Sequence, residues 1–185
     1  LQTDVLYNYG TFEQRHIEIL QHIKKTIQIP VIMKLGDNLT NPIALIEQLY
    51  ANGAAAVVLF NRFYQPDIDI EKLTHTTGNV FSNEAELGKT LRWIGIASAS
   101  VKNLDYAASG GVHSAEGMIK AILAGASAIE MCSVIYQKTP AVIQGFLAAT
   151  EQWMNRKGME SIQQFKGMLN VHDLKGVNTS NAHNS

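Results

Sequence analysis

Three places in the chain combine residue types that suit chemistry. Gly110 and Gly111 follow a small-residue run and precede a helical pattern that opens at Ser114, within "AASGGVHSAEGMIKAILAGASAIEMCS". Paired glycines let backbone N–H groups approach a ligand without an intervening Cβ, and a capped helix start adds positive potential, so the pattern suits an anion such as phosphate. Ser133, at the end of the next apolar run, would add a hydroxyl. Lys34 closes the otherwise apolar "IPVIMKL", where its charge would serve a bound ring electrostatically or its amine would form a Schiff base. Asn61 closes "GAAAVVLFN" and both donates and accepts hydrogen bonds, which suits an amide-like ring. Each has a plainer reading: Gly-Gly as a tight turn, Lys34 as one half of an ion pair, Asn61 as a turn residue.

The elements that position these residues alternate. Helical spacing from Phe12 through Ile27 leads to a strand over 29–34, and a helix carrying Leu45, Ile46 and Leu49 leads to a strand over 56–60. A long loop over 61–82, with a short strand expected near 79–81, precedes the helix marked by Leu87, Leu91 and Ile94. A strand over 104–109, a helix through Met118 and Leu123, a strand over 128–132 and a long helix from Val142 to Met154 complete the pattern. Short apolar strands separated by helices predict a parallel sheet. "GAAAVVLFN" and "GASAIEMCS" repeat the same scheme of Gly cap, small residues and strand, which places Asn61 and Ser133 at equivalent strand ends. A TIM (β/α)8 barrel carries its active groups at such ends, and its last strands commonly hold phosphate. A doubly wound sheet is the alternative topology.

Composition narrows the partners. The 185 residues are 46% hydrophobic and 17% charged, and Lys+Arg of 15 against Asp+Glu of 16 leaves a net charge of -1, with no global case for nucleic acid or an anionic membrane. A small molecule or another copy of the chain is the expected partner. One cysteine excludes an internal disulfide framework and fits a cytoplasmic, reducing compartment. No metal-ligand spacing links the histidines to Cys132. His113 is expected to face water at its helix start, and Glu130, interrupting an apolar strand, to lie inside a barrel with a hydrogen-bond partner.

"IPVIMKL", "GAAAVVLFNRFYQPDIDIEKL", "LRWIGIAS", "ASGGVHSAEGMIKAILAGASAIEMCS" and "FKGML" together resemble the C-terminal part of the dihydroorotate dehydrogenase family, specifically its dihydroorotate dehydrogenase-like branch, over residues 7 to 170. The resemblance implies a TIM barrel that binds FMN and oxidises dihydroorotate or a related ring by hydride transfer to the flavin. It implies Lys34 beside the flavin's pyrimidine edge as an auxiliary charge, Asn61 against flavin or substrate, and the FMN phosphate at Ser109, Gly110, Gly111, Cys132 and Ser133. The family's catalytic base, a Cys or Ser, follows the fourth barrel strand. The chain opens at about that loop, so the base is expected upstream of Leu1 and none is expected in the chain itself. The N-terminal strands of the barrel are likewise expected to be absent. Residues 1–170 then form the C-terminal part of one FMN-binding domain, and 171–185 a polar tail.

Two positions depart from the family pattern: Cys132-Ser133 stands where better-known members have Gly-Thr or Gly-Ser, and Arg62 opens "RFYQPDID" where a small hydroxyl residue is usual. Cys132 is expected to be buried and without a role as base. Two other classes of function fit the residues: a phosphate-binding barrel lyase or isomerase using Lys34, and a non-catalytic flavin- or phosphate-binding module.

Overall fold

The computed structural model describes residues 10–171. Leu1, upstream of which the catalytic base is expected, lies outside the described residues, as do the other first residues of the expected domain and all of the expected tail after Val171. Val171 itself is tied in, donating its N–H to Gly95 O at 3.0 Å.

Helix α1 (Thr11–Thr26), strand β1 (Ile32–Leu35), helix α2 (Pro42–Ala51) and strand β2 (Ala56–Leu59) alternate as the periodicity predicts. A long excursion follows, carrying the short strands β3 (Pro66–Asp69) and β4 (Thr74–Thr77). Then come α3 (Leu87–Ser100), β5 (Asp105–Ser109), α4 (Ala115–Ala124), β6 (Ala128–Glu130), α5 (Ser133–Lys138) and α6 (Val142–Lys157). Two helix starts are chemically marked. Asn41 accepts from Ala44 N at the head of α2, where Pro42 forgoes only an N–H that would be unpaired in any case, and Ser114 accepts from Gly117 N at the head of α4.

The four parallel strands run in the order β1-β2-β5-β6. Each connection includes a helix that returns the chain to the next strand in line, and successive helices pack on one another: α1 on α2, α2 on α3, α3 on α4, α4 on α6. All sit on one side of the sheet. The core they make with it takes Leu35, Val57, Leu59, Tyr106 and Ala108 from alternate strand positions. Tyr106 is 2% exposed and its one hydroxyl proton is shared between Val101 O and Ala97 O; burial pushes its phenol well above the ordinary tyrosine range.

The other strand positions, Ile32, Lys34, Val58, Ala107 and Glu130, lie outside that core. A doubly wound sheet would cover this second face with helices; here it is the concave face of an arc. Lys34 on β1 and Glu130 on β6 meet across it at 2.7 Å. In a flat sheet three strand spacings would separate β1 from β6 by about 14 Å, so the contact needs both long side chains and strong curvature.

Two expectations need correction. No strand covers 79–81. Instead β3 and β4 pair as an antiparallel hairpin within the long loop. Its strands are polar and exposed, and a proline at the head of β3 hides the signal. The Asp69 carboxylate shapes its turn, accepting N–H bonds from Glu71 at 3.0 Å and Lys72 at 2.9 Å. The last strand also stops at Glu130, earlier than expected, so Met131 and Cys132 belong to the link into α5.

Candidate functional site

Lys34 is the penultimate residue of β1. Leu35 faces the helices, fully buried, so alternation turns Lys34 to the concave side. There it lines a cavity of about 630 Å³ together with Asn61, Ser109, Gly110, Gly111, Glu130, Cys132 and Ser133. The structure thus brings every site residue expected within the chain to one opening at the carboxyl ends of the strands. Lys34 also satisfies its plainer reading, because its ammonium is paired with Glu130. Each side chain is 43% exposed, so the pair stays accessible to a ligand from the cavity.

The two glycines differ in what they do. Both hold a positive φ, 96° at Gly110 and 78° at Gly111. A Cβ on Gly110 would meet nothing within 4 Å, whereas one on Gly111 would lie 2.3 Å from Leu87 N and 2.9 Å from Glu86 C. Gly111 is therefore a packing glycine that seats the start of α3, and Gly110 is the one whose bare backbone faces open space. Both glycines line the cavity, and Gly111 has this packing duty besides.

Ser133 Oγ accepts from Ser82 N at 2.9 Å and from Ser82 Oγ at 3.1 Å. Ser82 Oγ is in turn 2.9 Å from Nε2 of His113. His113 is thus hydrogen bonded and not simply water-facing. Cys132 is a free, exposed thiol, contrary to the burial expected of it.

Arg62 explains the unusual run after Asn61. Its guanidinium turns to the loop after the hairpin, donating to Asn79 O at 2.8 Å, Val80 O at 2.9 Å and the Glu86 carboxylate at 3.0 Å. Glu86 closes a capping box with Asn83. The fork of Arg62 holds the loop from which Asn79, Val80 and Ser82 line the cavity, together with Phe63, Tyr64 and Gln65. Sequence reasoning missed Ser82, Arg62 and Glu86 as a unit. The capping-box spacing of Asn83 and Glu86 was the available signal.

Among the described residues no cluster of His, Cys, Asp or Glu could hold a metal, and no helix is long and apolar enough to cross a membrane.

Consecutive parallel β/α units, helices on the convex side and a cavity at the strand ends define part of a TIM (β/α)8 barrel. The comparisons agree. A DHODH structure from Eimeria tenella, in complex with ferulenol, superposes with a TM-score of 0.61 over 74% of this chain and 37% of that one, at 20% identity. In sequence the chain is similar to the catalytic subunits of dihydroorotate dehydrogenase B (NAD(+)) from Geotalea daltonii, at 25% identity over 167 residues, and from Alkaliphilus oremlandii, at 27% over 165. Each match covers 88% of this chain and 54% of the relative, so the chain spans about half the length of the curated relatives it matches. No protein-family model matches.

Proposed function

We propose that the chain is the FMN-binding part of a dihydroorotate dehydrogenase-type oxidoreductase that oxidises dihydroorotate or a related ring. The observation that carries the reading is the convergence of Lys34, Asn61, Gly110 and Ser133 on one cavity at the strand ends. These residues fit a phosphorylated flavin. Gly110 leaves room where a side chain would obstruct a phosphate, Ser133 supplies a hydroxyl, and Lys34 supplies positive charge to the same cavity. FMN, when bound, accepts the hydride removed from the ring.

The residues of this chain bind and orient. Asn61 follows β2 at the cavity edge, held by its N–H to Leu35 O at 2.7 Å, and offers both donor and acceptor to an amide-like ring edge. Lys34 stabilises negative charge that develops in the cavity, which acts on the transition state more than on substrate binding. Its partner Glu130 keeps the ammonium on the concave side. An ion-paired ammonium suits electrostatic work, whereas imine formation uses a free amine; that favours the flavin reading over the lyase. Cys132 adjoins Ser133 at the anion end and is assigned no part in proton transfer. A base must lie within reach of the proton it takes, and no residue of this chain is assigned that part.

The test is anaerobic. With the remaining barrel strands supplied and FMN added, dihydroorotate or a related dihydro-ring should bleach the visible flavin band. Bound flavin that no such ring reduces would favour the non-catalytic binding module.

A further inference from the structure

Three polar side chains from separate segments form a chain at the anion end of the cavity. His113 follows Gly110 and Gly111, Ser82 ends the loop after the hairpin, and Ser133 opens α5. A hydroxyl has two acceptor lone pairs and one proton. Ser133 Oγ already accepts twice, from Ser82 N and from Ser82 Oγ, and no described group accepts its own proton. That proton is the remaining hydrogen-bonding capacity of Ser133, and Ser133 lines the cavity with Gly110. With the Ser82 proton given to Ser133, the Nε2–H tautomer of His113 completes the series as donor in the 2.9 Å contact. In that arrangement the protons run from His113 to Ser82 to Ser133 to the cavity, and each bond in such a series strengthens the next.

From this we propose that Ser82 and His113 are positioning residues for a phosphate group, acting through the hydroxyl of Ser133. The inference rests on the reading of this end of the cavity as the FMN phosphate site, and extends it. The donor that meets the anion is set by the loop after the hairpin, and that loop is held by Arg62, the residue after Asn61. The ring end and the phosphate end of the cavity are thereby joined through one strap. An anion-binding hydroxyl that is already oriented loses little freedom on binding, which is the advantage of fixing it beforehand.

Riboflavin provides the control, since it is FMN without the phosphate. Dissociation constants for both flavins would be measured by fluorescence quenching on protein with its barrel completed. Ser82→Ala should weaken FMN by about tenfold, the scale seen when a residue that orients a binding group is lost. Riboflavin should be unaffected, and Ser82→Thr should restore FMN. His113→Leu should act in the same direction and His113→Gln, which keeps an N–H, should not; this pair carries the test if Ser82→Ala does not fold. Equal weakening of both flavins, or no change in either, would overturn the proposal while leaving the phosphate reading in place. A parent protein that binds FMN no better than riboflavin would overturn the phosphate reading itself, and this inference with it.

Discussion

Lys34 and Glu130 stand on the two outermost strands of the four-stranded sheet, yet their charged groups meet at 2.7 Å across its concave face. The pair is half-exposed, and exposed ion pairs contribute only about 0–1 kcal/mol to stability. Curvature of the sheet, made by helices packing in a row on its other side, brings them together; the ion pair does not make the curvature.

Lys34→Met should therefore leave the thermal midpoint close to that of the parent while slowing anaerobic reduction of bound flavin by about a hundredfold, the scale lost with one preorganised charge-stabilising group. Glu130→Gln should be equally stable. Stopped-flow reduction with parallel melting curves checks both. A large loss of stability in Lys34→Met would show that the pair is structural.

Gly110 and Gly111 should separate in mutagenesis. Gly111→Ala drives a Cβ into the backbone of Glu86 and Leu87, where nothing flexible can yield, and should cost about 3 kcal/mol or more. Gly110→Ala meets no atom and should cost only the backbone strain of its positive φ, about 1–2 kcal/mol, while lowering FMN affinity. Urea denaturation and flavin titration would distinguish the two outcomes.

Arg62→Ala should destabilise by about 2 kcal/mol, between the values for exposed and buried pairs, because it strands Glu86 and the carbonyls of Asn79 and Val80. Arg62→Lys should recover little, since one ammonium cannot reproduce the fork. Denaturation midpoints and protease sensitivity over residues 79–82 provide the measurement.

Asp105 ties the start of β5 to Ser127, at 2.5 Å, and to Lys166, at 3.3 Å. The Ser127 hydrogen bond, followed by the bond and charge of Lys166, holds its carboxyl below the ordinary aspartate value. A depressed folded-state pKa means that the stabilisation is fully present above the unfolded value of about 3.9 and is lost as pH falls through the folded value. Asp105→Asn should thus be less stable than the parent at neutral pH, and the gap should close as the pH is taken well below about 3.9. Urea midpoints across that range check it.

The alternation of elements and the strand-end positions of the site were legible because both rest on local patterns: buried helix faces, caps at Asn41 and Ser114, and the small residues that end β5. The contacts made by the excursion after Asn61 were not. Arg62 reaches residues 17 to 24 positions away, and Ser82 reaches Ser133 51 positions away, separations on which local periodicity is silent. The different duties of Gly110 and Gly111 were hidden for the same reason, since only the position of Leu87 tells them apart.

The most direct test of the account is the cofactor content of the protein with its barrel completed. Denaturing the purified protein and identifying the released chromophore by mass spectrometry should give FMN, bound non-covalently at about one per chain, with Gly110→Asp markedly depleted. Colourless protein that takes up no FMN on titration, and that borohydride instead traps at Lys34 with a phosphorylated carbonyl compound, would contradict the account and establish the lyase reading in its place.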